Sequence, residues 1–217
     1  MYSSGIELPR VQFSLIDYAY IETGSYFTGF DLDNSGKLSK MDNSGIITVI
    51  EGESSARYVG EEYGGGVVFH VYKDALGIER GLVVSIINQS SSSTYSDIDN
   101  ISIGVATTWN GQANTNLMST QVGATSGAWK DCNDYTYDGF SDWYLPAVDE
   151  LSLLWQNRFN INKTLTTIVG ATEIKYGNYW SSTEYIATTA YTFNFYTGYP
   201  NDEGKPNPVT VRAIRQF

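Results

Sequence analysis

The side chains that most often carry out catalysis or bind metals are few in this chain. It has one histidine, His70, and one cysteine, Cys132. A zinc site needs several convergent His or Cys ligands, and a Ser-His-Asp triad would have to use His70 although no activated-serine motif accompanies it. Asp149 and Glu150 are neighbours on a predicted helix, so their carboxylates point to different sides and make a poor acid–base pair. The sequence therefore predicts a protein that is not an enzyme.

One acidic segment has the spacing of a calcium-binding loop. Asp31, Asp33, Ser35 and Asp42 fall on the first, third, fifth and twelfth positions of such a loop. No amphipathic helix flanks the segment, its last position is Asp rather than Glu, and its tetrapeptide Asp-Asn-Ser-Gly recurs at residues 42–45. Asn, Ser and Gly favour tight turns, so we expect two hairpin turns and no cofactor, with calcium as the alternative.

A late segment, residues 178–208, is rich in residues that bind a ligand by contact rather than by chemistry. Flat aromatic rings stack on sugar rings or apolar patches, while Asn and Thr form hydrogen bonds with hydroxyl groups. The same composition also suits a strand with an exposed face, because Tyr and Thr are good strand formers. The candidate ligand-binding residues are Asn178, Tyr185, Tyr191, Asn194, Tyr196, Tyr199 and Asn201.

The composition limits the classes of partner. The chain has 217 residues, 41% of them hydrophobic, and a net charge of -11. Such an acidic chain is expected to repel nucleic acid and anionic membrane surfaces. With a single cysteine no intrachain disulfide can form, which favours folding in a reducing cytosol. Neither a signal peptide nor an apolar run long enough to enter a membrane is predicted.

The first part of the chain predicts a small β-meander. Short strand-like segments at residues 26–30, 37–41 and 46–50 are separated by the two Asp-Asn-Ser-Gly turns. Such a thin module needs a partner to be stable. We therefore assign residues 1–60 to an N-terminal β-rich attachment and oligomerisation module, with a polar linker at residues 51–57.

The rest of the chain predicts a mixture of strands and helices. Residues 64–72 and 81–87 form a predicted hairpin, followed by a serine-rich loop at residues 89–94 and an irregular stretch at residues 98–127. A closing strand is predicted at residues 209–215.

Two helices are predicted in the middle of this region. Pro146 suits a first helical turn, and the apolar residues after it recur at helical spacing. These residues are Val148, Leu151, Leu154, Trp155 and Phe159. A weaker helix is predicted at residues 126–135, where it would bury Cys132.

Four motifs, taken in order, resemble a known family. They are Gly-Gly-Val-Val-Phe at residues 65–69 with Gly-Leu-Val-Val-Ser at 81–85; Gly-Phe-Ser-Asp-Trp-Tyr-Leu-Pro at 139–146 with Asp-Glu-Leu at 149–151; Tyr-Trp-Ser-Ser-Thr-Glu at 179–184; and Val-Arg-Ala-Ile-Arg-Gln-Phe at 211–217. Together they are similar to the C-terminal domain of collagen-like bacterial adhesins, over about residues 62–217. That family usually has Ser or Thr where this chain has Ala147, which removes a helix cap.

The resemblance implies an α+β fold in which a C-type-lectin-like recognition domain at residues 62–217 follows the N-terminal meander. The motif residues themselves have the character of structural residues, since large apolar anchors dominate cores and Ser can satisfy backbone groups at bends. Arg212 is expected to pair with Glu150 or Asp142. The predicted structural residues are Trp143, Leu145, Pro146, Glu150, Trp180, Ser181 and Arg212.

The favoured function is non-catalytic recognition of a host or surface by a phage fibre or a similar appendage. The favoured ligand is a glycan. A homotrimer is expected, joined through residues 1–60 to other virion or appendage proteins, since several heads raise avidity. The expected location is the virion, with the bacterial cell surface as the alternative. The second hypothesis is a structural virion decoration or fibre cap that binds other virion proteins and no receptor.

Overall fold

The computed structural model describes residues 56–217 and, before them, the backbone of three strands. The chain divides into two units, Met1–Ala56 and Arg57–Phe217. In the first unit, β1 (Phe27–Phe30), β2 (Leu38–Met41) and β3 (Ile47–Ile50) form an antiparallel sheet in chain order. The residues of the alternative calcium loop, which are Asp31, Asp33, Ser35 and Asp42, lie outside the described residues.

The second unit is a mixed α and β structure that contains two sheets. Its four-stranded sheet has the order β12-β6-β5-β4, and its inner strands are the predicted hairpin. The strands are β4 (Glu62–Tyr63), β5 (Gly66–Lys73), β6 (Glu79–Ser85) and β12 (Ile214–Gln216).

The five-stranded sheet has the order β10-β9-β8-β11-β7. Its strands are β7 (Ser90–Ser93), β8 (Asn178–Ile186), β9 (Thr189–Asn194), β10 (Tyr199–Gly204) and β11 (Val209–Val211). The serine-rich segment that was predicted as a loop is therefore an edge strand. Its backbone is used in the fold, because the Trp180 indole N–H donates to the Ser93 carbonyl at 2.8 Å.

Three helices cover these sheets: α1 (Gly111–Ser119), α2 (Ala128–Asn133) and α3 (Val148–Leu165). The helix α2 lies inside the predicted region 126–135, and α3 begins in the other predicted region but continues past Phe159 to Leu165. The helix α1 lies in the stretch that was predicted to be irregular. No helix in the described part of the chain is both long and apolar enough to cross a membrane.

The spacing of apolar residues does not predict α1, because two of the positions that this helix buries are polar. Thr115 accepts a hydrogen bond from the Leu145 N–H at 3.0 Å, and the Asn114 amide donates to the Thr107 carbonyl at 2.8 Å. These bonds offset the cost of burying the two side chains. The Asn110 side chain caps the helix by accepting from the Ala113 N–H. A hydrophobic period is therefore not what holds this helix in place.

The strands at the centre of the unit are buried on both faces. On β5, Val67 and Phe69 belong to the hydrophobic cluster under α3, while Val68 belongs to the cluster under α1 and α2. Tyr179 and Trp180 divide in the same way on β8. Because successive strand residues point to opposite faces, this alternation produces two cores that share the same strands.

The predicted closing strand is divided between the two sheets. β11 lies between β8 and β7, with Thr210 opposite Tyr179 in a parallel pair, whereas β12 pairs with β6. Arg212 and Ala213 form the link and are buried. The last described residues therefore connect the two sheets.

The prediction that Arg212 pairs with Glu150 or Asp142 is wrong. Arg212 donates instead to the Asn88 side-chain oxygen and the Thr172 carbonyl, each at 3.0 Å. Asp142 is paired with Arg215, whose Nε lies 2.7 Å from the Asp142 carboxylate. Because β11 ends at Val211 and the chain then crosses to the other sheet, the two arginines lie in different surroundings, and only Arg215 reaches Asp142.

Candidate functional site

The structure distributes the predicted ligand-binding residues over three places rather than one. Tyr185 and Tyr191 form one pair, with ring centroids 5.2 Å apart. Tyr199 and Asn201 lie on β10, the edge strand of the five-stranded sheet, and are exposed. The remaining residues meet near the turn that follows β9: Tyr196 lies in the turn, Asn194 ends β9, and Asn178, which begins β8, is opposite Asn194.

Two of these residues use their side chains to shape that turn. The Asn194 side-chain oxygen accepts from the backbone N–H groups of Tyr196 and Thr197, both at 2.9 Å. Its NH2 group donates to the Asn178 side-chain oxygen at 2.8 Å. These bonds fix the backbone that presents Tyr196, so the side chains of Asn178 and Asn194 act within the fold.

Tyr196 lies beside a groove on the unit, next to the lining residue Tyr176. Its ring meets the Tyr176 ring edge-on, with centroids 5.6 Å apart, and the two side chains are 76% and 72% exposed. Tyr176 and Phe159, which is 73% exposed, line a groove of about 710 Å³ whose floor includes the buried Phe195. We call this the α3 groove. Large aromatic surfaces left in water are typical of binding sites.

One wall of the α3 groove is a single face of α3. Arg158, Phe159, Asn162, Lys163 and Thr166 line it. These residues recur at intervals of three and four, so they lie on one side of the helix. The guanidinium of Arg158 is held in place because its Nη1 donates to the Trp155 carbonyl at 2.8 Å and its plane covers the Trp155 ring.

The opposite wall, residues 173–176, is bonded to the helix. The Asn162 amide donates to the Ile174 carbonyl at 3.0 Å, and its oxygen accepts from the Ile174 N–H at 2.8 Å. The Tyr179 hydroxyl accepts from the N–H of Lys175 and donates to its carbonyl, each at 3.1 Å. With both walls fixed before a ligand arrives, little conformational entropy is lost on binding.

Within residues 56–217, most of the exposed basic side chains that have no acidic partner line the α3 groove. Five basic residues of the described unit form ion pairs, namely Arg57, Arg80, Lys130, Lys205 and Arg215. Arg212 is buried in the core. That leaves Lys73, Arg158, Lys163 and Lys175 without an ion pair within residues 56–217. Three of these four line the α3 groove, together with one acid, Glu173. The groove is therefore locally positive on a chain whose net charge is -11.

The predicted structural residues lie in the interior. Trp143, Leu145 and Trp180 belong to the hydrophobic cluster under α1 and α2. Others bond the backbone; the Ser181 hydroxyl, for example, donates to the Tyr191 carbonyl at 2.7 Å. All of them are buried: Trp143, Leu145, Pro146, Glu150, Trp180, Ser181 and Arg212. Glu150, although buried, also lines a small surface cleft, whereas a ligand cannot reach the others without unfolding the unit.

The titratable groups do not form a reactive cluster in the described part of the chain. No group of three or more His, Cys, Asp or Glu side chains there could hold a metal ion. Burial raises the pKa of the Cys132 thiol and lowers the pKa of His70. A buried thiol that resists ionisation is a poor nucleophile.

The sequence interpretation missed the contribution of α3 to the groove. Phe159 was placed on the apolar face of the helix, but it is exposed, and the core residues of this half of α3 are Ile161 and Leu165. A helical projection that begins at Leu151 and Leu154 continues through Ile161 and Leu165. That projection leaves Phe159 on another face, and this signal was available in the sequence.

Comparison with known proteins gives a family match and a similarity in fold. Residues 104–215 match the family described as the Lcl C-terminal domain, and the match includes the motifs at residues 139–146 and 179–184. No curated protein matches this chain.

A solved structure of a fimbrial protein from Bacteroides ovatus is similar over 77% of this chain and 46% of its own, with a TM-score of 0.54 and 17% identity. At this identity the likeness concerns the fold, and this chain spans less than half the length of that protein. The family match covers more than half of the 217 residues, and the chain therefore belongs to the Lcl C-terminal domain family.

Proposed function

We propose that residues 57–217 form a non-catalytic recognition domain, C-type-lectin-like in kind, that binds an acidic glycan in the α3 groove. The observation that supports this proposal most is the set of three unpaired cations, Arg158, Lys163 and Lys175, on a rigid groove with aromatic walls. Aromatic rings stack on the apolar faces of sugars, and unpaired cations attract their carboxylate or sulfate groups.

The charge distribution favours an acidic ligand over a neutral one. Among residues 56–217, Lys73 is the one exposed cation outside the groove that has no ion pair, so the groove is where an approaching anion meets an attractive field. Arg158 offers a planar guanidinium that suits bidentate contact with a carboxylate or sulfate. A neutral glycan would gain nothing from these three charges.

The proposed setting is a surface appendage. The similarity in fold to a fimbrial protein and the family membership support a surface or appendage-associated protein. We propose a phage fibre or bacterial surface structure as that appendage, with residues 1–60 joining the chain to its neighbours as a trimer. In such an arrangement, several weak groove sites act together and raise avidity.

The proposal is tested by measuring the binding of heparin and of polygalacturonate to the full chain and to single variants. We expect Arg158→Gln, Lys163→Gln and Lys175→Gln each to weaken binding by about fivefold, the effect of losing one exposed ion pair of about 1 kcal/mol. Added salt should weaken binding further, because exposed charges are screened. Lys73→Gln is the matched control, since Lys73 is exposed, lacks an ion pair and lies outside the groove residues.

The aromatic rim is tested in the same assay. Tyr176→Ala and Tyr196→Ala should weaken binding, while Tyr185→Ala, which changes an exposed tyrosine elsewhere, should not. Equal loss in the Lys73 and Lys163 variants would mean that charge acts without a site and would overturn the proposal. Tight binding to an appendage or virion protein, with no binding to either polysaccharide, would favour the structural decoration instead.

A further inference from the structure

Trp109 is an exposed aromatic residue that does not line the α3 groove, and no basic side chain lines the cleft in which it lies. All five tryptophans fall within residues 56–217, and only Trp109 is exposed, at 70%. Trp is normally among the most buried side chains because of its large apolar area. Its exposure on an ordered backbone marks a contact surface.

The backbone around Trp109 is held on both sides. The Thr107 hydroxyl donates to the Asn110 carbonyl at 3.0 Å, and the Thr108 carbonyl accepts from the Asp149 N–H at the start of α3 at 2.8 Å. The indole is therefore presented by a fixed segment, which limits the entropy lost when a ligand stacks on it.

Trp109 lines a cleft of about 360 Å³ that also contains polar side chains. Tyr72, partly exposed, supplies a second ring, and it stacks with the His70 ring at 5.7 Å. We call this the Trp109 cleft. Its polar lining residues are His70, Asn110, Asp149 and Gln216, together with the Glu150 carboxylate, which already accepts three hydrogen bonds within the fold.

These polar groups offer both donors and acceptors. The Asn110 side-chain oxygen caps α1, which leaves its NH2 group for a ligand. Within residues 56–217 the Asp149 carboxylate and the His70 ring make no hydrogen bond. Burial lowers the pKa of His70, so its ring is neutral at pH 7 and has one donor and one acceptor nitrogen. Gln216 adds an amide with the same dual character.

The chemistry of the Trp109 cleft excludes two ligand classes. An anionic ligand would be repelled by Asp149, and no basic side chain lines the cleft to compensate for that repulsion. A cationic ligand would leave the donors of Asn110, Gln216 and His70 without acceptors, and an unpaired desolvated donor is costly. A neutral polyhydroxylated ring uses donors and acceptors together and stacks on an indole. We propose that the Trp109 cleft is a second binding site, which takes a neutral pyranose residue of a glycan.

This site is independent of the α3 groove, so it is tested with monosaccharides and with a control variant in the groove. In the 15N-labelled full chain, the indole N–H resonance of Trp109 is followed during titration with the methyl glycosides of glucose, galactose, mannose and N-acetylglucosamine. We expect at least one glycoside to shift this resonance with millimolar affinity while the four less exposed indoles stay unchanged. Asp149→Asn should weaken the binding several-fold. The Trp109 variants lack this resonance, so binding to them is read from the side-chain NH2 resonances of Asn110 and Gln216. Trp109→Phe should retain part of the binding, and Trp109→Ala should abolish it.

Lys163→Gln serves as the control and should leave the Trp109 response unchanged, even where it weakens polysaccharide binding at the groove. If none of the four glycosides shifts the resonance at tens of millimolar, the inference is overturned. It is also overturned if methyl glucuronide or tetramethylammonium produces the larger shift, because the ligand would then be an anion or a cation.

Discussion

Glu150 shows how one buried side chain can tie separate segments together. One of its carboxylate oxygens accepts from the N–H groups of Ala147 and Gly111, at 2.7 Å and 3.1 Å, and the other accepts from the Tyr144 hydroxyl at 3.0 Å. It thereby joins the starts of α1 and α3 and supplies half of a capping box although Ala147 has no side-chain oxygen to complete it. Burial raises the pKa of Glu150 to about 7 and the pKa of Tyr144 above its usual range.

We expect the stability of the protein to depend on pH through Glu150. Its pKa is about 7 in the fold against 4.5 for the free side chain, so the folded state holds the proton more tightly than the unfolded state. The free energy of unfolding should therefore fall by roughly 3 kcal/mol as pH rises from 4.5 to 7 and stay level above that.

At low pH, the protonation of other carboxylates reduces the free energy of unfolding. The pKa of Asp142 is lowered by Arg215. Burial opposes a similar shift at Glu184, but Lys205 and backbone donors outweigh it and lower its pKa as well. Their contributions are present above the unfolded pKa and are lost as pH falls through the folded pKa. Stability should therefore peak near pH 5.

Urea unfolding between pH 4 and pH 8 measures this dependence, and Glu150→Gln is the test variant. Gln can keep all three bonds, because its oxygen accepts from the two N–H groups and its NH2 group donates to Tyr144. Since Gln does not ionise, the decline between pH 4.5 and 7 should disappear. A variant that declines as steeply as the original chain would show that another group is responsible.

At the scale of elements, the turn between β9 and β10 is fitted against α3. Gly198 has a φ of +79°, and a Cβ added there would lie 2.5 Å from the Trp155 ring. The Trp155 ring in turn contacts the guanidinium of Arg158, which lines the α3 groove. The turn, the helix and the groove are therefore in direct contact.

We expect Gly198→Ala to destabilise the protein by about 3 kcal/mol, from backbone strain and from overpacking against Trp155. Gly77→Ala is the matched control. Gly77 has a similar φ of +76° but nothing within 4 Å of an added Cβ, so strain alone should cost about 1 kcal/mol. Urea unfolding compares the two, and equal losses would show that the Trp155 ring moves aside freely.

The elements differ in how far they could be predicted from the sequence. The hairpin and α3 have strong apolar patterns and lie where the sequence places them. The helix α1 and the strand β7 were missed because polar residues form them and long-range hydrogen bonds, such as that from Trp180 to Ser93, hold them. Of the predicted surface tyrosines, Tyr196 meets the α3 groove only because residues 173–176 fold back on α3, which no local pattern encodes.

At the scale of the whole molecule, the second unit contains both described hydrophobic clusters. Their residues all lie between Tyr63 and Phe217. The Tyr63 and Phe217 rings also meet edge-on, with centroids 5.1 Å apart, which closes the two ends of the unit on each other. A unit with its own cores is expected to fold independently.

We expect the fragment 57–217 to unfold in one cooperative transition, as a monomer, and to bind polysaccharide with the single-site affinity. Under the trimer proposal the full chain should have three times the fragment's subunit number in light scattering and a higher avidity. A full chain that stays monomeric at micromolar concentration would contradict the role proposed for residues 1–60.

The placement of β11 has a consequence for biosynthesis. Residues Val209–Val211 lie inside the five-stranded sheet, between β8 and β7, and Ile214–Gln216 complete the other sheet. Neither sheet can close until this segment has left the ribosomal exit tunnel. The nascent chain must therefore wait with unpaired strand edges, and we expect it to depend on holding chaperones until residue 216 has emerged from the tunnel.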